Sequence, residues 1–296
     1  MNFALPFARG EFVVIYDAED RPEPDQLRKA VAMFRALPQT TACLQARLAF
    51  YNAPENWLTR QFEADYRLWF GMLLQGLDRI GVPIPLGGTS NHFRIDVLRD
   101  IGAWDPFNVT EDADLGIRLS QRGFRVAMLD STTFEEAPTR LGVWIKQRSR
   151  WLKGYMQTWL VHSRQTGSLV RQTGLKGFLA FQFFIGGAVV SALVNPLLWI
   201  VCVLSYVFPG LFPSGLEQLS AAGAIGSNSI LAGLAVSAAI RCGDRRLLPC
   251  GLTVAFYWLL ISVAAWRGLW HLVTRPFHWE KTTHGLSRHA AESADA

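Results

Sequence analysis

The sequence predicts an α/β protein: a mixed sheet with its helices, followed by an interfacial helix and then three to four membrane helices. Three observations carry this expectation. Half of the 296 residues are apolar and the mean hydropathy is positive, with the excess concentrated after Phe178, whereas a soluble enzyme covers its core with polar surface. The first half alternates short β-branched runs, acidic or glycine-containing loops and amphipathic helices. Between the two halves lies a long stretch rich in both aromatic and basic residues. At this length one medium domain and a few spans fit, and two full domains with spans do not.

Phe12 to Tyr16 is a wholly apolar, β-branched run, read as a buried parallel strand that ends at Asp17. Pro22 and Pro24 punctuate a loop, and Asp25 is expected to cap a helix whose apolar positions Leu27, Ala30, Val31 and Phe34 recur at helical spacing up to Pro38. Thr41 to Tyr51 reads as a second strand and Glu55 to Arg79 as a long amphipathic helix. A loop from Pro83 to Asn91, containing Gly87 and Gly88, leads to a short helix around Asp96 to Ile101. A further helix from Glu111 to Arg122 stops at Gly123, before a strand from Phe124 to Leu129. From Thr139 to Arg164 the pattern is again helical.

Residues 177–208 are almost uncharged, long enough for one tilted span or for a tight hairpin broken at Asn195 and Pro196. Leu219 to Ile240 and Leu247 to Trp266 are the next candidate spans. The arginines of the intervening loop, Arg241, Arg245 and Arg246, place it on the cytoplasmic side of the cytoplasmic membrane, together with the first half of the chain. Counting gives three crossings, with the tail outside, or four if the first segment is a hairpin. The domain division expected is 1–138 for the α/β domain, 139–176 for the interfacial helix, 177–273 for the membrane helices and 274–296 for a terminal segment and polar tail.

Net charge is +5 without a dense basic run, which excludes a nucleic-acid partner and favours the lipid bilayer. Cys43, Cys202, Cys242 and Cys250 have no metal-binding spacing and are expected to be reduced. No ionisable residue sits within the candidate spans to mark a transport path.

Three constellations carry chemistry. Asp17, Glu19 and Asp20 follow the first strand directly, and hard carboxylate oxygens at a strand end can hold a divalent cation against a diphosphate, although an acidic turn explains them equally well. Glu111 and Asp112 open a helix, where the dipole favours a charge and is expected to keep a carboxylate ionised to remove a proton from an attacking hydroxyl. Gln147, Arg150 and Trp151 share one face of the aromatic helix, beside Arg148, and present an amide, a guanidinium and an indole suited to phosphate and to a sugar ring.

Taken in order, the acidic loop, Thr110-Glu111-Asp112, Gln147-Arg148-Ser149-Arg150-Trp151 and the membrane helices resemble the cellulose synthase, hyaluronan synthase and curdlan synthase group of family 2 glycosyltransferases. The resemblance runs from Gly10 onward and implies a partial, Rossmann-like sheet of the GT-A type. It implies a nucleotide-sugar donor, a glycan acceptor and Mg2+ or Mn2+ held by Asp17 and by Glu19 or Asp20. It places the catalytic base on Asp112, with Glu111 beside it, and donor and acceptor contacts on Gln147, Arg148, Arg150 and Trp151. Phe277 to Gly285, with Lys281 and Thr282, is similar to a segment that closes over the donor in that family. The family's nucleotide-binding half should precede Gly10, so the chain is expected to be a truncated or mis-started product with an exposed sheet edge. An inactive remnant or membrane scaffold is the rival reading.

Overall fold

The computed structural model describes residues 1–280. Its strands are β1 (Phe12–Ile15), β2 (Arg21–Pro22), β3 (Thr41–Phe50), β4 (Asn91–Arg94) and β5 (Arg125–Glu135). They form one mixed sheet in the order β1-β4-β3-β5-β2. The pairings of β1 with β4, β4 with β3 and β5 with β2 are antiparallel, and that of β3 with β5 is parallel.

The helices of the first half are α1 (Gln26–Ala36), α2 (Trp57–Leu68), α3 (Leu74–Ile80), α4 (Ile95–Asp100), α5 (Glu111–Gln121) and α6 (Leu141–Ser163). They are followed by α7 (Thr166–Phe181), α8 (Gly187–Val207), α9 (Ser214–Ala221), α10 (Ser227–Arg241) and α11 (Cys250–Thr274). Single π-turns join α2 to α3, α7 to α8 and α9 to α10.

The sheet departs from expectation at its first strand. β1 is antiparallel to β4, half-buried and at the sheet edge, because an apolar run reports burial but not the direction of its neighbour. That neighbour, Asn91-His92-Phe93-Arg94, begins at the last residue of the segment read as loop and fills a gap to which no element was assigned. It is fully buried despite three polar residues, since Arg94 donates to the carbonyls of Thr41 and Phe34. β5 runs on to Glu135, beyond the strand end expected at Leu129, and Tyr51 N–H donates to the Glu135 carbonyl where the parallel pair ends. In α1 the buried face is Gln26, Ala30 and Phe34, while Leu27 is 54% exposed. Asp25 makes no capping hydrogen bond and instead pairs with Lys29 at 3.1 Å.

Helix α2 starts where expected because Asn56 and Thr59 cap each other's backbone N–H groups. α5 packs so tightly on the loop carrying Gly87 and Gly88 that a Cβ at Gly116 would lie 2.1 Å from the Ile84 carbonyl oxygen. The core fills the space between sheet, α2, α6 and α11 and includes Phe62, Leu74, Phe93, Leu115, Trp144 and Tyr257.

Among the described residues, three helical stretches are long and apolar enough to cross a membrane: Thr166–Val207, Ser214–Arg241 and Cys250–Thr274. The first bends at Gly174, whose φ of 71° interrupts the helix. It then continues straight through Asn195 and Pro196, so the hairpin alternative does not hold. Beside the proline, Asn228 Nδ2 reaches Asn195 Oδ1 at 3.3 Å across the helix pair. All four cysteines are free thiols.

Candidate active site

The acidic loop is fastened to the glycine loop. Asp17 N–H donates to Asp20 Oδ2 at 2.9 Å and to Thr89 Oγ1 at 3.3 Å, the Thr89 hydroxyl donates to Asp20, and Ser90 N–H closes on the Ile15 carbonyl at 2.8 Å. Asp20 is thereby turned inward. Burial pushes its carboxyl up to about 6, with Asp17 and Glu19 adding to the effect and the Thr89 and Asp17 donors opposing it. Its Oδ1 is buried without a partner.

Among the described residues no three acidic, histidine or cysteine side chains converge as a metal cage. One or two carboxylates completed by phosphate oxygens and water is the usual arrangement for Mg2+ at a nucleotide, and the orphaned Asp20 oxygen fits it.

Asp112 stands one residue into α5, facing Gly88, where an added Cβ would lie 3.2 Å from Asp112 Oδ2. A side chain at that position would press on the carboxylate and shift it by a few tenths of an ångström. Burial pushes Asp112 up to about 7 and Glu111 adds to it, against the Ala113 N–H at 2.8 Å and the Arg150 charge. The sequence expectation of a firmly ionised group needs correction, since burial outweighs the helix terminus; a proton acceptor near neutrality is the result. Asp114, two residues on, is held low by His162 (2.8 Å) and Arg118 (2.7 Å) against its burial, and it ties α5 to α6.

On α6 the structure separates two arginines that the sequence grouped. Arg150 lies within electrostatic reach of Asp112, Glu111 and Asp17, and its guanidinium stacks on Trp279 at 4.9 Å. Its Nε and Gln147 Oε1 are buried without partners. Arg148 turns the other way, to Asp65 and to the Tyr257 hydroxyl at 2.9 Å, under the rings of Phe62 and Trp151. It is a core cation, and the expectation that it meets diphosphate is corrected. Replacing Arg148 by Ala leaves the part-buried Asp65 with only the Tyr257 hydroxyl and empties the space under Phe62 and Trp151, so we expect a loss of about 1–3 kcal/mol of stability, read as a lowered Tm.

Trp151 packs beside Phe62 and Tyr66, at ring distances of 5.8 and 6.3 Å. One turn further, Gly154 allows α6 to meet the start of α5, for a Cβ there would lie 2.1 Å from Thr110 Oγ1. Gly154→Ala should therefore cost about 1–3 kcal/mol of overpacking strain, measurable as a lower unfolding midpoint, and should weaken transfer by parting Asp112 from Arg150.

Glu135 was not foreseen. It ends β5 with its carboxyl raised well above the usual range by burial first and then by Asp20, Asp17 and Glu19, and its Oε1 has no partner. Its signal was the β-branched pair Thr132-Thr133 with Phe134, which carries the strand past Leu129 to the same sheet end as the acidic loop. Lys281 and Thr282 lie outside the described residues. Phe277 and Trp279, from the same segment, meet Phe107 and Arg150.

Residues 12–215 match the family described as Glycosyl transferase family group 2. The chain is 32% identical over 145 residues to Glucomannan 4-beta-mannosyltransferase 2 of Arabidopsis thaliana, a match covering 49% of this chain and 27% of that protein. It is 30% identical over 164 residues to Beta-monoglucosyldiacylglycerol synthase of Trichormus variabilis, covering 54% of this chain and 34% of the other. The chain thus spans about a quarter to a third of the curated relatives it matches. A solved mannosyltransferase from Pyrobaculum calidifontis, in complex with GDP-Man and Mn2+, superposes with a TM-score of 0.49 at 19% identity, over 91% of this chain and 65% of that one.

Proposed function

The chain belongs to Glycosyl transferase family group 2, and we propose that it serves a membrane-bound, inverting transfer of a sugar from a nucleotide-sugar donor to a growing polysaccharide or glycan. The observation that carries this reading is the meeting of three distant segments around Arg150, which reaches Asp112, Glu111 and Asp17 together.

In this reading Asp112 takes the proton of the acceptor hydroxyl as that oxygen bonds to the anomeric carbon and the sugar–phosphate bond breaks on the opposite face. Arg150 offsets the charge arriving on the diphosphate. Gln147 fixes the donor through its free amide oxygen, Trp151 offers a flat surface to the acceptor sugar, and Glu135 borders the cleft beside the acidic loop. Asp17 and Asp20, with Glu19 adjacent, would hold Mg2+ or Mn2+, which when bound neutralises the leaving diphosphate.

Location follows from the same geometry: the arginine-bearing turn after α10 rests on α2 through Leu247 and Ala64, which supports a catalytic unit on the cytoplasmic face of the membrane. The test is calorimetric binding of a nucleoside diphosphate with and without Mn2+. We expect Mn2+ to tighten binding, and Asp20→Asn to remove most of that gain; an unchanged Mn2+ effect would take the acidic loop out of the site.

A further inference from the structure

Away from Arg150 and the acidic loop, a cleft of about 450 Å³ opens where the end of α5, the end of α6 and the start of α7 meet. It shares no lining residue with the candidate active site. Arg118, Arg122, His162 and Arg164 line it together with Gln165 and Ser168, and among the described residues no carboxylate does. Helix geometry accounts for the grouping. Arg118 and Arg122 stand four residues apart at the end of α5 and so share a face. His162 and Arg164 close α6, and α7 begins at once with Thr166, so the turn between these two helices presents its basic and polar side chains to the arginine face of α5.

The floor of the cleft is fixed. Arg118 uses three of its five N–H groups on Asp114 Oδ2 at 2.7 Å and on the carbonyls of Ile101 and Ala103 at 3.1 and 2.6 Å. The His162 side chain is 8% exposed, and its Nε2 meets Asp114 Oδ1 at 2.8 Å. Both oxygens of Asp114 are thereby occupied, so this buried carboxylate holds Arg118 and His162 in place without facing the cleft. The rim is left uncompensated. Arg122 has only Asp100 near it, at 4.0 Å, and that carboxylate is itself 72% exposed. Arg164 has no ion pair among the described residues. An excess of forked, planar donors over a concave surface is suited to phosphate oxygens. The volume falls within the range of small-molecule sites, about 300–1,000 Å³, which leaves room for a phosphate with its ester substituent.

The neighbouring helix narrows the source. α7 leaves the cleft, bends at Gly174 and runs into the apolar stretch long enough to cross a membrane. The cleft therefore stands at the polar end of a membrane-length helix, where basic pockets meet anionic headgroups. We propose that this cleft is a second anion site, separate from the donor site, that takes a phosphate ester, with the headgroup of an anionic phospholipid as its first source and a soluble phosphate ester as the other. Arg118 and His162 form its fixed floor, and Arg122 and Arg164 close on the phosphate oxygens. An occupant bridges α5, α6 and α7 and so ties the helix that carries Asp112 to the start of the first membrane-length stretch.

The test uses the full chain purified in a neutral detergent. Retention of phosphatidylglycerol and of phosphatidylcholine is read by native mass spectrometry, and glycerophosphate is titrated separately. The wild type should retain phosphatidylglycerol over phosphatidylcholine. Arg122→Gln combined with Arg164→Gln should weaken that retention at least about tenfold, as the loss of two charge-assisted contacts implies. Both side chains are exposed, so the double variant should keep the wild-type Tm in the absence of lipid. Arg171→Gln, at an exposed arginine outside the cleft, should bind as the wild type does. Glycerophosphate binding without a lipid preference, lost in the same double variant, would keep the site and assign it to the soluble source. Equal retention of both lipids with no glycerophosphate binding, an unaffected double variant, or an equal loss in Arg171→Gln would overturn the proposal. Nucleoside diphosphate binding should be the same in all these variants, so a failure of the cleft leaves the proposed function untouched and the reverse failure leaves the cleft standing.

Discussion

Asp112→Asn should lower sugar transfer by about a hundred- to ten-thousand-fold, the range that loss of a positioned general base produces, while nucleotide-sugar binding stays near its wild-type value. The amide is isosteric, and its neighbours Gly88 and Ala113 N–H place no demand on charge for folding, so the loss would be chemical rather than structural. The wild-type rate also has a shape. With the carboxyl pushed up to about 7, the competent ionised form declines about tenfold per pH unit below that value and saturates above it. The variant should lose this acid limb. Retained turnover in Asp112→Asn would remove Asp112 from the role of base.

Arg150→Ala carries the second large effect, about a hundred- to a thousand-fold in transfer, because a fixed positive charge is withdrawn from where the leaving group gathers negative charge. It makes a second, independent prediction of sign. Arg150 favours the ionised form of Asp112, so without it the Asp112 carboxyl titrates higher and the acid limb of the rate profile moves to higher pH. Arg150→Lys restores charge without the planar fork and should recover the limb's position better than the rate. A profile that does not move would mean that the two groups are uncoupled.

Much of the fold was legible because its determinants are local. Helix α5, with its acidic first turn and its stop at Gly123, follows from spacing and end chemistry, as does the helical stretch after Glu55, although its break at Trp69–Leu73 does not. The class, a mixed sheet ahead of membrane-length helices, follows from the change in composition after Phe178. What was not legible depends on partners distant in sequence. β4 hid because His92 and Arg94 are polar, and their partners are distant: Tyr16 for His92, and the Phe34 and Thr41 carbonyls, more than fifty residues away, for Arg94. A helix wheel puts Arg148 and Arg150 on opposite sides of α6, but which side meets the cleft is decided by Asp65 and Tyr257, brought to Arg148 by α2 and α11. Glu135 needed the full length of β5.

The most direct measurement supplies membranes bearing the protein with a panel of α-linked UDP- and GDP-sugars carrying 13C at the anomeric carbon, and reads the configuration of the product linkage by NMR. A single displacement driven by Asp112 predicts a β-linked product that is lost in Asp112→Asn. A product of retained α configuration, or a β product formed equally by the variant, would contradict it.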